Sequence, residues 1–378
     1  MNSLFTYCPG ESHIRVNKPC QDYAYSFTER GVSIAIVCDG HGGDRYFRSD
    51  VGAKYATEIT FQKVNELLDN MGSIREHLSK SAFIQVEALT TQRSKGNFDK
   101  ESVIDIFFKQ LFKSIIAGWH SAIEEYSLAH PLTDKERESI SEKYILDYTH
   151  NVEKTYGCTL MAAVVSRSFW FAFHIGDGKC ISFDSSGSWT EPIPWDDRCF
   201  LNKTTSLCDS DAIDEFRYCY GGKSSIPIAI FLGSDGIDDS FGETENMVNF
   251  YIQIAKLICS QENGKDLAIA SLEEDLPKLS MMGSKDDMSI ASIFEPKKIK
   301  KALPNLLRWQ IDRLEYKRVH INELLNSAII KKEQLEAIKQ MSQQDTIEYQ
   351  YSISDIDKYR HQVLVLDNQI RKLKEEEY

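Results

Sequence analysis

The sequence predicts an α+β domain with antiparallel sheet, followed by a helical tail. Three observations lead there. Two apolar runs, 159–165 and 169–175, are separated only by Ser166, Arg167 and Ser168, a spacing that closes a hairpin and pairs the strands antiparallel. Strand-like runs occur in groups with long helical stretches between the groups, unlike the strict alternation of a doubly wound parallel sheet. Near the C-terminus, Ile356, Tyr359, Val363, Leu366, Ile370 and Leu373 recur at spacings of 3, 4, 3, 4 and 3, the seam of a heptad.

The elements follow in order. Residues 32–38 are apolar and β-branched and stop at Asp39-Gly40, which reads as a buried strand running into a turn. Stretches 51–71, 74–94 and 101–128 carry apolar residues at helical spacing; Phe107, Leu111, Ile115 and Trp119 share one face. After the hairpin, 179–183 continues as a third strand, and 226–232 and 288–294 are two more. A second helical zone covers 245–279. Residues 185–225, rich in Ser, Gly, Asp and Pro, read as an irregular excursion, and so long a segment without regular structure is ordinarily functional or mobile.

The core domain ends near Glu295-Pro296, where Lys297, Lys298, Lys300 and Lys301 open a tail without glycine. Residues 302–341 are helical, with Leu307, Ile311, Leu314, Ile321 and Leu325 on one stripe. The polar stretch 342–354 is expected to break the helix before the heptad seam. The two segments can close into an antiparallel hairpin, or one can pair with another chain; the pattern leaves both open.

Composition narrows the function. Hydrophobic residues at 42% and charged residues at 27% of 378 are ordinary for a globular chain. A formal net charge of −13 repels nucleic acid and anionic membrane, so neither is an expected partner. The nine cysteines are odd in number and include no Cys-x-x-Cys pair, which argues against a disulfide framework and a zinc ribbon. No leader-like start and no apolar run of ~18 residues is evident, so the expectation is a cytoplasmic protein.

Carboxylates punctuate the strands. Asp39 follows the first strand. Asp177 follows 169–175 in Gly176-Asp177-Gly178, and Asp235 follows 226–232 in Ser234-Asp235-Gly236. Asp286 precedes 288–294, and Asp22 precedes an alternating aromatic stretch. One Asp-Gly after a strand is ordinarily a turn; five strand ends bearing carboxylates make a hard, oxygen-rich pocket if they converge. Such a pocket suits Mg²⁺ or Mn²⁺. Asp239, four residues after Asp235, could join the same ion. Two cations can clamp a phosphate and activate a water. No Cys-x5-Arg loop and no P-loop motif is present, which disfavours a thiolate phosphatase and a P-loop nucleotidase.

Six motifs then fall in order: Gln21-Asp22, Asp39-Gly40-His41-Gly42-Gly43, Gly157-Cys158-Thr159, Ile175-Gly176-Asp177-Gly178, the run from Ser234 to Asp239, and Asp286-Asp287-Met288-Ser289. The set resembles the type 2C (PPM) family of metal-dependent Ser/Thr protein phosphatases. The stretch from Ser12 to Asp22 looks like the bacterial-type branch, and the resemblance covers about residues 8–295.

The resemblance implies a four-layer α-β-β-α sandwich over 1–296, two antiparallel sheets flanked by helices, with 185–225 as a flap and 297–378 as a helical hairpin or coiled-coil extension. It implies that Asp39 bridges two Mn²⁺ or Mg²⁺ ions, completed by the Gly40 carbonyl, Asp22, Asp235 and Asp286. Asp177 and Asp239 match a weaker third position. The implied reaction is hydrolysis of phosphoserine or phosphothreonine in a phosphoprotein by a water bridging two cations. His41 matches a proposed general acid, for which a neighbouring carboxylate would have to raise its pKa. The sequence departs from the family at Gln21 (glutamate is common), Asp287 (asparagine), Ser289 (threonine) and Asn17, where an arginine often binds phosphate. Arg15 or Lys18 could replace that arginine, and Arg15 is favoured for its bidentate fork. The tail implies a partner protein or self-association through 297–378. The alternative is a catalytically weak pseudophosphatase that senses or scaffolds through its tail.

Overall fold

A computed structural model of the chain describes residues 1–87, 102–200 and 203–377. The chain opens with β1 (Asn2–Cys8), α1 (Glu11–Val16), β2 (Tyr23–Glu29), β3 (Val32–Cys38), α2 (Ser49–Asp69), α3 (Ile74–Lys80) and β4 (Ile84–Val86). Next come α4 (Val103–Ala129), α5 (Asp134–Ser139), α6 (Glu142–His150), β5 (Leu160–Val165), β6 (Phe169–Ile175), β7 (Lys179–Phe183) and β8 (Trp189–Thr190). Then follow α7 (Ala212–Glu215), β9 (Arg217–Gly222), β10 (Ala229–Gly233), α8 (Asp235–Phe241), α9 (Thr244–Ser260), α10 (Gly264–Met282) and β11 (Met288–Phe294). Two long helices end the chain, α11 (Pro296–Glu336) and α12 (Gln343–Glu377).

The strands form a five-stranded sheet, β1-β11-β10-β7-β8, and a six-stranded sheet, β2-β3-β5-β6-β9-β4, with every pairing antiparallel. The two-residue period of a strand sorts side chains between two layers. On the six-stranded sheet, Ile34, Ile36, Phe169, Phe171, Phe173, Tyr218 and Tyr220 meet Ala53, Ala56 and Val64 of α2 and the aromatic stripe of α4. The other face carries Ala35, Ala163 and Ala172, which pack with Ile230, Leu232, Ala291 and Ile293 of the five-stranded sheet. Small side chains there allow the two sheets to stack closely. On the outer side of the five-stranded sheet, Phe231 stacks on Tyr251 of α9 at 4.8 Å between centroids. The result is two antiparallel sheets flanked by helices.

Register puts the strand ends together. The start of β2 lies opposite the end of β3 (Tyr23 and Cys38), and the start of β5 opposite the end of β6 (Leu160 and Ile175). The end of β10 lies opposite the starts of β7 and β11, where Gly233 pairs with Lys179 and Ile290. The segments carrying Asp22, Asp39, Asp177, Asp235 and Asp286 therefore all join strands at one end of the sandwich.

Four expectations differ from the structure. Helical spacing over 74–94 gives only α3, which stops at Lys80, and Ile84–Val86 pairs with β9; 88–94 lies outside the described residues. The β-branched pair Ile84 and Val86 finds an open sheet edge, so tertiary pairing overrides the helical pattern. Within 185–225, Arg217–Gly222 is a fully buried strand between β6 and β4. Two glycines and an arginine disguised it, whereas Tyr218 and Tyr220 mark its core face. Edge strand β1, paired along its whole length with β11, was not anticipated. Finally, the break between the two tail helices falls at 337–342, and 343–354 is helical. Ser342 caps α12, its backbone N–H and hydroxyl donating to Asp345 (2.8 and 2.7 Å) while Asp345 N–H donates to Ser342 Oγ (3.1 Å).

The chain divides into two compact units, Met1–Lys301 and Ala302–Tyr378. In the second, α11 and α12 run antiparallel, as the ion pairs Glu315–Lys374 (2.7 Å), Arg318–Asp367 (3.0 Å) and Lys331–Glu348 (3.0 Å) require. All nine cysteines are free thiols. Among the described residues no helix is long and apolar enough to cross a membrane.

Phe112 of α4, fully buried and stacked on Phe216 at 4.2 Å, ties the helix layer to the sheet. Phe112→Ala is expected to lower unfolding free energy by about 3–5 kcal/mol in urea titration. A loss below about 1 kcal/mol would contradict that packing role.

Candidate metal centre

Backbone pairing aims the first carboxylate. Past the end of β3, the Asp39 N–H donates to Thr159 Oγ1 (3.0 Å) and the Asp39 carbonyl accepts from the Thr159 N–H (2.8 Å). Gly40 N–H donates to the Gln21 carbonyl (3.1 Å) and His41 N–H to the Gly157 carbonyl (3.1 Å). A Cβ on Gly40 would stand 2.6 Å from the Gln21 oxygen and 2.8 Å from that of Ser49, so only glycine lets these backbones meet. Gln21 supplies the other brace: its side-chain amide donates to the carbonyls of His41 (3.3 Å) and Tyr46 (3.4 Å) and to the Ser49 hydroxyl. An amide does this where a glutamate could not donate.

Asp22 is buried and accepts from Ser289 Oγ at 2.7 Å. Asp235 is the first residue of α8, where the helix N-terminus favours a carboxylate. Asp177 sits on a turn whose Gly176 has φ of +128°, a conformation that favours glycine. The carboxylate oxygens of Asp39, Asp177 and Asp235 lie within 4.8 Å of one another. Asp286 and Asp239 are exposed at the mouth and act electrostatically on Asp235.

Such crowding suppresses ionisation. Burial, followed by neighbouring carboxylates, pushes Asp39 well above the usual carboxylate range. Asp22 is raised by the same two causes, against hydrogen bonds from Ser289 and Ser234. Asp235 is pushed up to about 7, chiefly by burial, although it is hydrogen-bonded to Asp39. Asp177 is raised by burial and by Asp239, against a hydrogen bond from Thr204. Asp239, though open to solvent, is raised by partial desolvation from its neighbours and then by Asp238 and Asp286. The donor set is all hard oxygen, and cations would relieve the repulsion, so the residues fit Mg²⁺ or Mn²⁺.

Asp287 behaves differently, and its role was not foreseen. It accepts the amides of Gly10 (2.6 Å) and Gln21 (2.5 Å), and His13 Nδ1 lies 2.8 Å away, misaligned for a good hydrogen bond. Burial alone would raise its pKa, but these donors outweigh burial and lower it. Asp287 thus clasps the segment before Asp22 to the start of β11. An asparagine, with one carbonyl oxygen, would accept from fewer partners.

The two basic candidates separate. Arg15 lies on the outer face of α1, 64% exposed, paired with Glu11 at 2.9 Å, where nothing connects it to the carboxylates. The preference for Arg15 therefore yields to Lys18. Lys18 Nζ donates to the Gly42 carbonyl at 2.9 Å, and Asp287, Asp286, Asp44 and Asp50 all act on it. Its pKa is lowered, because burial outweighs those carboxylates.

His41 also departs from expectation. Burial lowers its pKa to about 4. The neighbouring carboxylate exists, Asp209, but Lys154 pairs with it at 2.9 Å and itself opposes protonation of the ring. His41 is therefore a neutral imidazole at pH 7, packed edge-on to Tyr46 at 4.7 Å.

The family model for protein phosphatase 2C matches residues 9–276. The chain belongs to the protein phosphatase 2C family and is a metal-dependent Ser/Thr protein phosphatase. The matched region ends before Asp286, which the fold nevertheless brings to the mouth of the site. No curated protein matches the sequence. Among solved structures, the chain is similar to Ser/Thr phosphatase Stp1 from Staphylococcus aureus: 14% identity, 77% of this chain and 94% of that one, TM-score 0.42. The S. agalactiae Ser/Thr phosphatase gives 16%, 78%, 99% and 0.42. The catalytic domain of the phosphatase PstP, in complex with two manganese ions, gives 14%, 77%, 96% and 0.43.

A carboxyl whose pKa rises on folding contributes stability that is full below its unfolded value near 4 and is lost as pH rises through the folded value, about 7 for Asp235. Metal-free protein is expected to lose thermal stability as pH rises from about 4 to about 7, and saturating Mn²⁺ to remove that loss. Identical pH dependence with and without Mn²⁺ would contradict the crowded-carboxylate centre. His41 should titrate by NMR near 4 in metal-free protein, and Lys154→Met should move its midpoint upward. A midpoint at or above the ordinary value, about 6.5, in the unaltered protein would contradict this.

Proposed function

We propose that the chain hydrolyses phosphoserine and phosphothreonine in proteins at a centre where Asp39 is shared by two Mn²⁺ or Mg²⁺ ions. The observation that carries this is the mutual approach of Asp39, Asp177 and Asp235 within 4.8 Å, with ionisation suppressed. Asp22, Asp235, Asp286 and the Gly40 carbonyl would complete the two sites, and Asp177 with Asp239 a weaker third. When bound, the ions supply Lewis acidity, which stabilises charge on phosphate oxygens and favours ionisation of an attacking water.

The chain's own groups have separate tasks. Asp39 and Asp235, whose ionisation burial and neighbouring carboxylates suppress, would release protons as cations bind. Lys18, beside Asp286 and the Gly42 carbonyl, would offer a cation to the phosphate, as a point charge rather than a fork. His41 is neutral without substrate. An arriving phosphate dianion would raise its pKa, so protonation of a leaving oxygen by His41 is confined to the complex. A purely binding role through the fold is disfavoured, because a scaffold has no use for uncompensated carboxylates.

The hairpin is read as a contact surface for a phosphoprotein partner or a second copy. Its seam is satisfied between α11 and α12, yet Tyr316, Val319 and Leu364 remain exposed beside a groove of about 550 Å³ lined by His320, Ile321, His361 and Leu366.

Asp39→Asn and Asp235→Asn are expected to cut Mn²⁺-dependent hydrolysis of p-nitrophenyl phosphate by roughly a hundredfold or more. Lys18→Met should raise KM about tenfold, while Arg15→Met stays within about twofold. Full activity in EDTA, or unchanged rates in both aspartate variants, would sink the metal-centre reading. Tyr316→Glu with Leu364→Glu should leave activity intact and abolish any self-association seen by light scattering.

A further inference from the structure

The turn that presents Asp177 is held from outside its own strands. Gly176 joins β6 to that turn, and both of its backbone groups are taken by residues of the segment 194–217. Its N–H donates to Thr205 Oγ1 at 2.9 Å. Its carbonyl accepts from Arg217 Nη2 at 2.5 Å and from the Cys199 thiol at 3.3 Å. Thr204, next to Thr205, favours the ionised form of the Asp177 carboxylate.

Arg217 opens β9 and is only 2% exposed, although its side chain is a cation. A buried guanidinium costs several kcal/mol unless its donors are satisfied. Here the hydrogen-bond partners are Gly176 O, Pro194 O at 3.0 Å and His174 Nδ1 at 3.2 Å; Nε makes no hydrogen bond and is compensated only by Asp196 Oδ2 at 3.5 Å. His174 must therefore present an unprotonated Nδ1. Asp196 is in turn clasped by Arg198 through two bonds of 2.8 and 2.9 Å. The cation can stay buried only while Pro194 and Asp196 lie where they do. The position of that segment and the geometry of the Asp177 turn are thus tied to one group.

We propose that Arg217 is a positioning residue which, with Thr205, couples residues 194–196 to the Asp177 turn and thereby sets the affinity of the ion held by Asp177. The proposal rests on the metal-centre reading above. Both act through the Gly176 peptide, by the bonds to its N–H and carbonyl. The coupling acts first on the ion at Asp177: Asp39 and Asp235 are carried by β3 and α8, to which the hydrogen bonds of Arg217 and Thr205 do not run.

The test is Mn²⁺ binding to the full chain by isothermal titration calorimetry, with electron paramagnetic resonance of bound Mn²⁺ as a second readout. Arg217→Met and Thr205→Val should each weaken one class of Mn²⁺ site by about tenfold or more, as loss of an outer partner does, and leave the remaining sites within about twofold. Thr205→Ser keeps the hydroxyl and should restore wild-type binding. Thr205→Val, nearly isosteric, keeps the test decisive if Arg217→Met does not fold. Wild-type binding of every Mn²⁺ class in Thr205→Val would overturn the proposal alone. Equal weakening of all classes, or failure of Thr205→Ser to restore binding, would reduce the residues to a general structural role and also overturn it. Absence of Mn²⁺ binding by the unaltered protein would overturn the metal-centre reading, and the proposal with it.

Discussion

Repulsion among carboxylates gathered at one end of two sheets is the constraint on which the rest of the structure depends. Antiparallel register brings five strand-joining segments to that end, and each delivers an aspartate. Asp39, Asp177 and Asp235 are close enough that Asp39 and Asp235 stay protonated to unusual pH. Without cations this arrangement costs stability. The sandwich tolerates it because its core is elsewhere, in the aromatic layer between α4 and the six-stranded sheet and in the alanine-lined contact between sheets. A rigid frame carries a locally unfavourable site, which is how binding centres are ordinarily built.

Around the carboxylates, uncharged and charge-assisted hydrogen bonds fix direction. Thr159 holds Asp39, Ser289 holds Asp22, Gln21 braces the loop after Asp39, and Asp287 gathers Gly10, His13 and Gln21. Arg217 and Thr205 do the same for the Asp177 turn from the opposite side. Of these, Asp287 and Gln21 stand where the family usually has asparagine and glutamate. Each departure suits its surroundings: a carboxylate with several donors around it, and an amide that faces carbonyls.

Much of this was legible before any coordinates. The hairpin 159–175, the apolar runs ending in Asp39 and Asp235, and the stripe of α4 follow from strand and helix periods, which local sequence expresses directly. What was hidden depended on partners distant in the chain. Arg217–Gly222 looks irregular until its neighbours β4 and β6 are known. Ile84 and Val86 have helical spacing until an edge strand accepts them. The polar run 342–354 hides a helix that is capped by Ser342 and supported across the hairpin. In the site, the aspartates announced themselves by repetition, but the sequence does not show that Arg15 pairs with Glu11 within α1 while Lys18, past the end of that helix, reaches the Gly42 carbonyl. The neutral state of His41 follows first from its burial in the fold, and Lys154, which pairs with Asp209 55 positions on, adds to it.

The most direct measurement is anomalous diffraction at the manganese edge from crystals of the chain soaked in Mn²⁺. Two strong peaks on either side of the Asp39 carboxylate, with Asp235 and the Gly40 carbonyl among their oxygen ligands, are the expected result. A weaker third peak beside Asp177 would agree with it. A map with no peak at the shared end of the two sheets, or with manganese only at surface carboxylates, would contradict the central claim.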